Sequence, residues 1–589
     1  MAEHDREPLL GRETQLAALR ARDRVPVLIV GGGINGISTF RELALQGIPA
    51  IIVEQGDWCQ AASGALSRMI HGGLRYLETG EFGLVKESVT ERDRLLLNAP
   101  HYVAPLRTTV PIDSWGGGLV NAGKRFLRLG EKPARRGALI IKTGLTLYDL
   151  YTRQSGTMPR HQLNGLGATR RRWPGFAPWI RCSATYYDAW ITAPERLGVE
   201  LLEDSRRANP QALALNYLSV EGTDGVQLTL RDALSQETFT LRPHIVVNAT
   251  GAWVDALNGM LAPERAGQKM IGGTKGSHLI VRSPELLRML GDEMVYYENH
   301  EGRVCIMFPW FGNVLVGSTD IRIDDPDEAV CDEAEKRYIL ESLNFVFPSL
   351  RVGEDDVLYT FSGVRPLPAS DAALNGRISR NHSLALLPPV NGREFATLCL
   401  IGGKWTTFRA FGEQAADRVL HLLGEKRQVG TQHLAIGGGR DYPAAEQYAT
   451  WLRQLTVQSG LPSTRVAQLA ARYGTRAEAI IAAIGRRPDR PLRHHADYSE
   501  NEIAYLIHHE QAVMPEDVLV RRTRIAISGE ATLARVTELA TLMARELGWS
   551  DDLLAQNIAL TCSRLASRHG LANLTSTADT EETRYADHP

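Results

Sequence analysis

Four cationic side chains, in separate segments of the sequence, could bind a doubly negative phosphate group. Arg75, Arg365, Arg380 and Lys404 each lie near a glycine turn or a strand end of the structure that the sequence predicts. The planar guanidinium of arginine donates paired, charge-assisted hydrogen bonds that match phosphate oxygens. A single arginine is more often a solvated or ion-paired surface residue. The spacing alone therefore leaves a phosphate site and a set of surface charges both open.

A glycine cluster near the start of the chain is typical of a dinucleotide-binding turn. An apolar run over residues 25–30 meets G-G-G-I-N-G at Gly31, a helical segment follows over 37–46, and a second apolar run ends at Glu54. This order of strand, turn, helix and strand is the context that the G-x-G-x-x-G pattern requires. The glycines allow close approach of a pyrophosphate, and the helix N-terminus stabilises its negative charge. The residues assigned to this site are Gly31, Gly33, Asn35, Gly36 and, for the ribose hydroxyls, Glu54.

Two later segments repeat the pattern of a buried strand followed by a glycine turn. Residues 244–247 run into A-T-G-A-W around Gly251, and residues 396–401 run into G-G-K-W-T-T-F-R. Backbone amides at such turns can hold a phosphate or a cofactor oxygen. Because these segments lie far along the chain from the first glycine cluster, they predict a discontinuous nucleotide domain with another domain inserted between its strands. The residues assigned here are Gly251, Gly403, Lys404 and Thr406.

Composition and charge narrow the class of protein. The 589 residues include 66 Lys and Arg against 68 Asp and Glu, a formal net charge of −2. This balance argues against general nucleic-acid binding, which needs a basic surface. The six cysteines are scattered without metal-ligand spacing, which indicates a reducing compartment and no zinc or iron–sulfur site. Residues 1–24 are charged and lack an apolar core, so we expect a frayed or weakly helical extension and no secretory signal.

Longer motifs carry a resemblance that is far more specific than the glycine cluster. I-H-G-G-L-R-Y-L-E begins at Ile70, S-G-V-R-P-L begins at Ser362, and T-K-G-S-H ends at His278. Over residues 25–570 the chain resembles the FAD-dependent glycerol-3-phosphate dehydrogenases. The resemblance implies an α/β fold, with a Rossmann-like FAD-binding domain of the glutathione-reductase/D-amino-acid-oxidase type. An inserted α+β substrate domain and an all-α C-terminal domain complete it.

Domain boundaries follow from these motifs and from the change to Ala, Leu, Arg and Glu-rich segments with helical spacing after residue 430. The tail is rich in Thr, Asp and Glu, which favours disorder. The predicted parts are an N-terminal extension (1–24), a discontinuous FAD-binding domain (25–98, 181–262 and 355–428), an inserted substrate-binding domain (99–180 and 263–354), a helical C-terminal domain (429–572) and a disordered tail (573–589).

The resemblance also implies roles for individual residues. His278 is expected to take the hydroxyl proton of a secondary alcohol, and Arg365 to stabilise the negative charge that develops on that oxygen. A hydrogen-bonded structural histidine is the other interpretation of His278. The substrate-binding residues are expected to be Arg75, Tyr76, Arg380 and Lys404. Further residues expected at the FAD are Ser63, Ser67, His71, Gly72 and Gly73.

The expected reaction is the FAD-dependent oxidation of sn-glycerol 3-phosphate to dihydroxyacetone phosphate, with electrons passed to a quinone. Residues 187–197 depart from the family's pattern, because two aspartates are missing and one residue is inserted. The departure leaves another polyol phosphate open as the substrate, such as erythritol phosphate. An amine or amino-acid oxidase of the same fold is a further alternative, against which the cations argue. A non-catalytic flavin-binding protein is another, against which intact His278 and Arg365 argue.

A stretch of interleaved basic and apolar residues, 117–151, suits an anionic membrane surface. A soluble amphipathic helix with a solvated basic face gives the same pattern. Together with the resemblance, the stretch favours a cytoplasmic enzyme that is attached peripherally to the inner face of the cytoplasmic membrane. The sequence leaves a homodimer open. The basic residues of the stretch are Lys124, Arg125, Arg128, Lys132, Arg135, Arg136 and Lys142.

Overall fold

The structure is a computed structural model that describes residues 9–73, 81–115, 138–152, 158–265, 267–369, 381–390, 392–571 and 574. Its helices are α1 (Arg12–Arg20), α2 (Ile34–Leu45), α3 (Phe82–Asn98), α4 (Ala138–Thr152), α5 (Leu166–Arg172), α6 (Pro194–Ala208), α7 (Val254–Leu261), α8 (Pro284–Leu290), α9 (Glu333–Val346), α10 (Phe408–Leu423), α11 (Ala445–Ser459), α12 (Ser463–Tyr473), α13 (Ala477–Ile484), α14 (Glu500–Glu510), α15 (Leu533–Leu547) and α16 (Asp551–His569). Its strands are β1 (Arg24–Val30), β2 (Ile51–Val53), β3 (Met69–Ile70), β4 (Val103–Ile112), β5 (Gln162–Asn164), β6 (Cys182–Ile191), β7 (Leu213–Leu215), β8 (Leu218–Thr223), β9 (Leu228–Asp232), β10 (Thr238–Asn248), β11 (Ile271–Val281), β12 (Glu293–Glu298), β13 (Val304–Trp310), β14 (Asn313–Gly317), β15 (Ile321–Arg322), β16 (Val357–Pro368), β17 (Ser383–Leu387) and β18 (Ala396–Ile401).

The first sheet has the strand order β17-β18-β10-β1-β2-β7, with a ribbon of β8 and β9 attached to β10. Neighbouring strands from β18 to β7 run parallel, and β17 is antiparallel to β18. Strand β1 is a nearly continuous apolar run because helices cover the sheet, with α2 packed between α10 and α6. The carboxyl ends of β1, β10 and β18 therefore meet at one edge, where an open parallel sheet binds its ligand.

The second sheet has the strand order β15-β11-β14-β13-β12-β4-β6-β3, with β16 paired to β11 and β5 paired to β6. It is mostly antiparallel, and α8 and α9 cover one face through a core that includes Leu279, Val316 and Leu343. Its other face carries His278 and Phe361, whose rings are stacked. The sheet thus has one face packed against helices and one face turned towards the candidate site.

The predicted domain boundaries are corrected at three strands. Residues 69–70, 182–191 and 357–368 were expected in the FAD-binding domain, but β3, β6 and β16 belong to the second sheet. Strand β6 pairs with β4 along its whole length, from Val103↔Ile191 to Ile112↔Cys182. An apolar pattern identifies a strand, but not the distant partner with which it forms hydrogen bonds.

Helices α11–α16 form the C-terminal helical domain, and its core is continuous with Tyr359 and Phe361 of β16. Within the region of helical spacing after residue 430, residues 463–484 form two helices, because the chain turns sharply at Gly474, where φ is +59°. At the other end of the chain, residues 1–24 were expected to be frayed or weakly helical, and α1 is a packed helix within them. Its Leu16 and Leu19 are buried against the first sheet, and Gln15 accepts a hydrogen bond from the Ala214 amide. Of the predicted disordered tail, only Leu574 lies within the described residues.

All six cysteines are free thiols, and burial raises the pKa of each of them. Five are buried and Cys331 is half-buried. Among the described residues, no group of three or more His, Cys, Asp or Glu side chains is arranged to hold a metal ion.

Candidate functional site

The first glycine turn joins β1 to α2, at the edge where the parallel strands end. Gly31 has a φ of +111°, and a Cβ there would lie 2.6 Å from the Ala249 carbonyl oxygen. A Cβ on Gly36 would lie 2.1 Å from the Gly31 carbonyl oxygen, so α2 packs against the turn only without a side chain. Both glycines are therefore required by the close approach of β1, β10 and α2.

Glu54 follows β2 and holds the same turn from the side. Its carboxylate accepts hydrogen bonds from the amides of Gly32 at 2.7 Å and Gly56 at 2.9 Å. Burial raises the pKa of this carboxyl group, and the two amides oppose that shift. Each carboxylate oxygen has lone pairs beyond the single amide that it binds, so the group can also accept hydrogen bonds from a ribose diol.

A cavity of about 500 Å³ runs from this turn along the sheet edge. The Asn35 amide oxygen is buried and has no hydrogen-bond partner among the described residues, while Ser63 Oγ accepts a 2.9 Å hydrogen bond from the Ile34 amide. A glycine cradle at a helix N-terminus, a ribose carboxylate and an unpartnered buried amide oxygen fit a dinucleotide such as FAD. The lining includes the predicted residues Gly31, Gly33, Asn35, Glu54, Ser63, Gly251, Gly403 and Lys404.

A second cavity, of about 190 Å³, shares Gly403, Lys404 and Trp405 with the first. The shared turn is anchored by a hydrogen bond from Trp405 Nε1 to the Ser63 carbonyl oxygen at 3.0 Å and by one from Thr406 Oγ1 to the His71 carbonyl oxygen at 3.2 Å. The predicted residues brought together here are Ser67, His71, His278, Arg365, Gly403, Lys404 and Thr406. They come from four separate segments of the chain, so this small cavity is the candidate active site.

His278 is buried in this cavity, and its ring stacks on Phe361 with centroids 5.0 Å apart. Burial, together with the charges of Arg365 and Arg68, lowers the pKa of His278 to about 3. Neither ring nitrogen has a hydrogen-bond partner among the described residues. The side chain is therefore a neutral imidazole at neutral pH, with ring nitrogens available to a ligand.

Arg365 lies beside His278 and is positioned by the loop after β14. Its guanidinium donates to Asp320 Oδ1, Ser318 Oγ and the Thr319 carbonyl oxygen, each at 3.3 Å. A Cβ on Gly276 would lie 2.1 Å from Arg365 Nη2, so the guanidinium occupies the space that a side chain at 276 would fill. Sequence reasoning missed Gly276 because only the pairing of β11 with β16 brings the two residues together.

Three predicted cofactor residues lie outside the lining of both cavities. Gly36 lies where α2 packs against the first glycine turn, and Gly72 and Gly73 follow His71. A Cβ on Gly72 would lie 2.1 Å from the Tyr148 hydroxyl, and the Gly72 amide donates to Asp188 Oδ1 at 2.9 Å. Gly73 has a φ of +79°. These glycines thus shape the backbone beside His71. The predicted residues Arg75, Tyr76 and Arg380 lie outside the described residues.

A buried polar cluster behind the site was not anticipated from the sequence. Asp188 Oδ1 accepts hydrogen bonds from Tyr148 Oη at 3.0 Å and from Arg92 Nη1 at 3.2 Å, besides the Gly72 amide. Burial raises the pKa of Asp188, and Arg92 opposes the shift. Because Asp188 fixes the Gly72 amide, this cluster positions the backbone next to His71.

The segment 187–197, in which a departure from the family's pattern was expected, forms two buried ion pairs. Glu195 binds Arg68 with oxygen–nitrogen distances of 2.7 and 2.8 Å, and Arg196 binds Glu510 of the helical domain at 2.7 and 2.9 Å. Arg68 is one of the two charges that lower the pKa of His278. The departure therefore lies next to the site and at the contact with the helical domain.

Most of the basic stretch, residues 116–137, lies outside the described residues. Its last part is α4, whose Leu145 and Tyr148 are buried against Val85 and Tyr186, while Lys142 is exposed. In the described part of the chain, no helix is both long enough and apolar enough to cross a bilayer.

Comparisons with known proteins agree with this geometry. Residues 26–418 match the family described as FAD dependent oxidoreductase, and residues 429–553 match the C-terminal domain of alpha-glycerophosphate oxidase. The chain is 31% identical to a glycerol-3-phosphate dehydrogenase of Synechocystis sp., over 89% of this chain and 93% of the relative. It is 28% identical to a D-erythritol 1-phosphate dehydrogenase of Brucella abortus, over 85% of this chain and 94% of the relative.

The fold is also that of a solved glycerol-3-phosphate dehydrogenase from Bacillus halodurans complexed with FAD. The TM-score is 0.72 at 22% identity, covering 95% of this chain and 98% of that one. This match confirms the predicted fold class, and the family match confirms FAD as the cofactor. The chain therefore belongs to the FAD-dependent glycerol-3-phosphate dehydrogenases, a family of oxidoreductase enzymes.

Proposed function

We propose that this enzyme oxidises sn-glycerol 3-phosphate to dihydroxyacetone phosphate and passes the electrons to a quinone. The observation that carries the proposal is the small cavity that holds His278, Arg365 and Lys404 together next to the dinucleotide cavity. Two cations suit a phosphate dianion. A neutral imidazole in the same cavity suits the removal of a hydroxyl proton.

The chemistry divides between the cofactor and the side chains. Oxidation of a secondary alcohol removes a hydride from carbon, which bound FAD accepts, and a proton from oxygen. His278 takes that proton, because its imidazole is neutral and buried in the cavity. Arg365 stabilises the negative charge on the substrate oxygen as the proton leaves. Lys404 binds the phosphate and so holds the polyol in place.

The substrate itself strengthens the base. The pKa of His278 is low because the residue is buried and because Arg365 and Arg68 are positively charged. A phosphate dianion that binds beside Arg365 offsets this positive charge and raises the pKa of His278. The imidazole then becomes a better proton acceptor only when substrate is present.

A related dehydrogenase of erythritol phosphate is the second candidate. The similarity to the D-erythritol 1-phosphate dehydrogenase of Brucella abortus is nearly as extensive as that to the Synechocystis enzyme, and residues 187–197 depart from the family's pattern beside the site. An amine substrate is disfavoured, because the cations at the cavity repel a positively charged amine.

Anaerobic reduction of the bound flavin tests the proposal directly. Glycerol 3-phosphate is expected to bleach the flavin absorbance band, while glycerol, which lacks the phosphate, leaves it unchanged at the same concentration. Arg365→Ala is expected to retain FAD and to lose the bleaching. Bleaching by erythritol phosphate but not by glycerol 3-phosphate would select the second candidate.

Attachment to the inner face of the cytoplasmic membrane is part of the proposal, because a quinone acceptor lies in the bilayer. The basic and apolar residues of 117–137 support this attachment. The apolar side of α4, the last part of the stretch, packs inward and so does not face a membrane. The protein is expected to float with anionic vesicles and to remain in solution with neutral ones. Exchange of Lys124, Arg125 and Arg128 for glutamine should abolish flotation without reducing the bleaching, and equal flotation with neutral vesicles would contradict the electrostatic attachment.

A further inference from the structure

The loop that carries Glu54 is held by the C-terminal helical domain. Residues 54–59 follow β2 and connect the ribose carboxylate to the glycine turn, because Gly32 donates to Glu54 and the Cys59 amide donates to the Gly32 carbonyl oxygen at 3.0 Å. A Cβ on Gly32 would lie 2.5 Å from the Trp58 ring. The position of Trp58 therefore sets the position of the glycine turn.

Asp57 of this loop is fully buried and binds two consecutive arginines of the helical domain. Arg522 forms a pair of 2.8 Å hydrogen bonds with both carboxylate oxygens, and Arg521 Nε donates to Oδ2 at 2.6 Å. The two arginines lower the pKa of Asp57, although burial alone would raise it. A carboxylate with these partners is ionised and fixed in place.

A second contact fixes the neighbouring Trp58. Its Nε1 donates to Gln511 Oε1 at 3.1 Å, and Gln511 Nε2 donates in turn to the Ala214 carbonyl oxygen of β7 at 2.8 Å. Gln511 directly follows α14. One residue of the helical domain thus ties the loop to the edge strand of the first sheet.

The same part of the helical domain also faces the dinucleotide cavity. Glu516, Val520 and Arg521 line the cavity of about 500 Å³ together with Gly31 and Glu54. The end of α16 is on this lining as well, where His569 stacks on Tyr359 with centroids 4.5 Å apart. The helical domain therefore forms a wall of the cavity besides anchoring its loop.

We propose that the C-terminal helical domain is a working part of the FAD site, in which Arg521, Arg522 and Gln511 act as positioning residues for the loop that carries Glu54. They hold Asp57 and Trp58, and through them the ribose carboxylate and the glycine turn. Release of this loop weakens cofactor binding without a change in any residue of the glycine motif. Because coupling between two sites is reciprocal, bound FAD must also stabilise the docked helical domain.

The rate of FAD release from the holoenzyme tests the first half of this proposal. Asp57→Asn and Gln511→Ala are compared with Glu502→Gln, measured as FAD that appears in the filtrate after dilution. Glu502 is a matched control, because it is fully buried and paired with Arg465 and Arg472 inside the helical domain. Release is expected to be roughly tenfold faster for Asp57→Asn and several-fold faster for Gln511→Ala, a range typical of coupled sites, and close to wild type for Glu502→Gln. Equal rates for all three variants would overturn the proposal.

Hydrogen exchange in the wild-type protein tests the second half and does not depend on a variant that folds. Backbone amides of residues 511–523 are compared in the holoenzyme and in FAD-depleted protein. They are expected to exchange more slowly with FAD, while α12, none of whose residues lines the cavity, changes little. Slowing confined to the glycine turn and Glu54 would show that the helical domain does not take part.

Discussion

At the scale of single residues, the candidate active site depends on space that glycine leaves free. Gly276 faces the Arg365 guanidinium, and Gly317 faces the His278 ring, where a Cβ would lie 2.3 Å from Cδ2. Gly276 lies within the T-K-G-S-H motif, but neither glycine was assigned a role in the site. Both glycines come close to the site residues through the pairing of β11 with β14 and β16. Local sequence does not predict that pairing.

Gly276→Ala is expected to displace Arg365 and so to mimic its loss. The new Cβ would lie within 2.5 Å of three guanidinium atoms, and the flexible arginine would give way. We expect kcat/KM to fall roughly 10- to 100-fold, the size of effect that a small misplacement of a catalytic group produces. FAD content, measured from the flavin absorbance, should stay at the wild-type value.

Gly222→Ala is the control for that variant, because Gly222 also lies in a strand and a Cβ there meets no atom within 4 Å. It should have wild-type kcat/KM. Full activity of Gly276→Ala would show that Arg365 does not need its present position.

His278 should make the protein less stable in mild acid. Its pKa is about 3 in the folded protein and about 6.5 in the unfolded chain, so below pH 6.5 only the unfolded chain binds the proton. The free energy of unfolding therefore has its full value above pH 6.5 and decreases as the pH falls towards 3. At pH 5 the decrease is about 2 kcal/mol.

The comparison that isolates this residue is the change in Tm from pH 7 to pH 5 in wild type and in His278→Gln. The Tm of the variant should fall less than that of wild type, whatever its value at pH 7, because glutamine does not titrate. An equal fall in Tm for both proteins would mean that His278 is already protonated in the folded protein at pH 5.

At the scale of elements, α9 holds β11, the strand of His278, from the far face of the second sheet. Side chains alternate along β11, so Gly276 and His278 face the cavity while Lys275 and Ser277 face α9. Glu335 of α9 accepts hydrogen bonds from Ser277 Oγ at 2.8 Å and Thr319 Oγ1 at 2.6 Å, and it pairs with Lys275 at 2.7 Å. Thr319 belongs to the loop that binds Arg365.

Glu335→Gln is therefore expected to reduce kcat by roughly tenfold or more through the Arg365 loop, while FAD content is unchanged. Glu333→Gln is the matched control, since Glu333 is exposed on the same helix turn and pairs with Lys336. A fall in Tm with normal kcat would assign Glu335 a purely structural role.

The elements themselves were largely predictable, and their partners were not. The strands predicted at 25–30, 50–53 and 396–401 agree with β1, β2 and β18 to within one residue, because each is an apolar run that ends at a glycine or a charged residue. Strand β10 is longer than the predicted 244–247, since its first half pairs with β9 as an exposed ribbon with alternating burial. The position of β10 between β1 and β18 depends on contacts across long stretches of chain, which no local pattern encodes.

At the scale of the whole molecule, α6 joins parts from every region of the chain. Its Glu200 binds His101 Nε2 at 2.8 Å and the Tyr102 hydroxyl at 3.0 Å, and it accepts the Gly438 amide that precedes the helical domain at 3.0 Å. Burial would raise the pKa of Glu200, but His101 and nearby arginines lower it to about 2.

Glu200→Gln is expected to lower the stability of the protein by about 3 kcal/mol at pH 7, because a depressed pKa measures the extra stabilisation of the ionised form. That stabilisation is present above about pH 4.5, the ordinary value, and is lost as the pH falls towards 2. The difference in Tm between the two proteins should be present at pH 5 and shrink below pH 4.5, and a difference that does not shrink there would contradict the ion pair.

Because its six thiols are buried or half-buried, the native protein should react very slowly with alkylating reagents. Thiolates are the reactive form, and burial disfavours that form at each of the six positions. An exposed cysteine added by Leu97→Cys in α3 or Val457→Cys in α11 would therefore react first and almost alone. Paired spectroscopic labels at these two positions would report the distance between the helical domain and the rest of the enzyme, without removal of any natural cysteine.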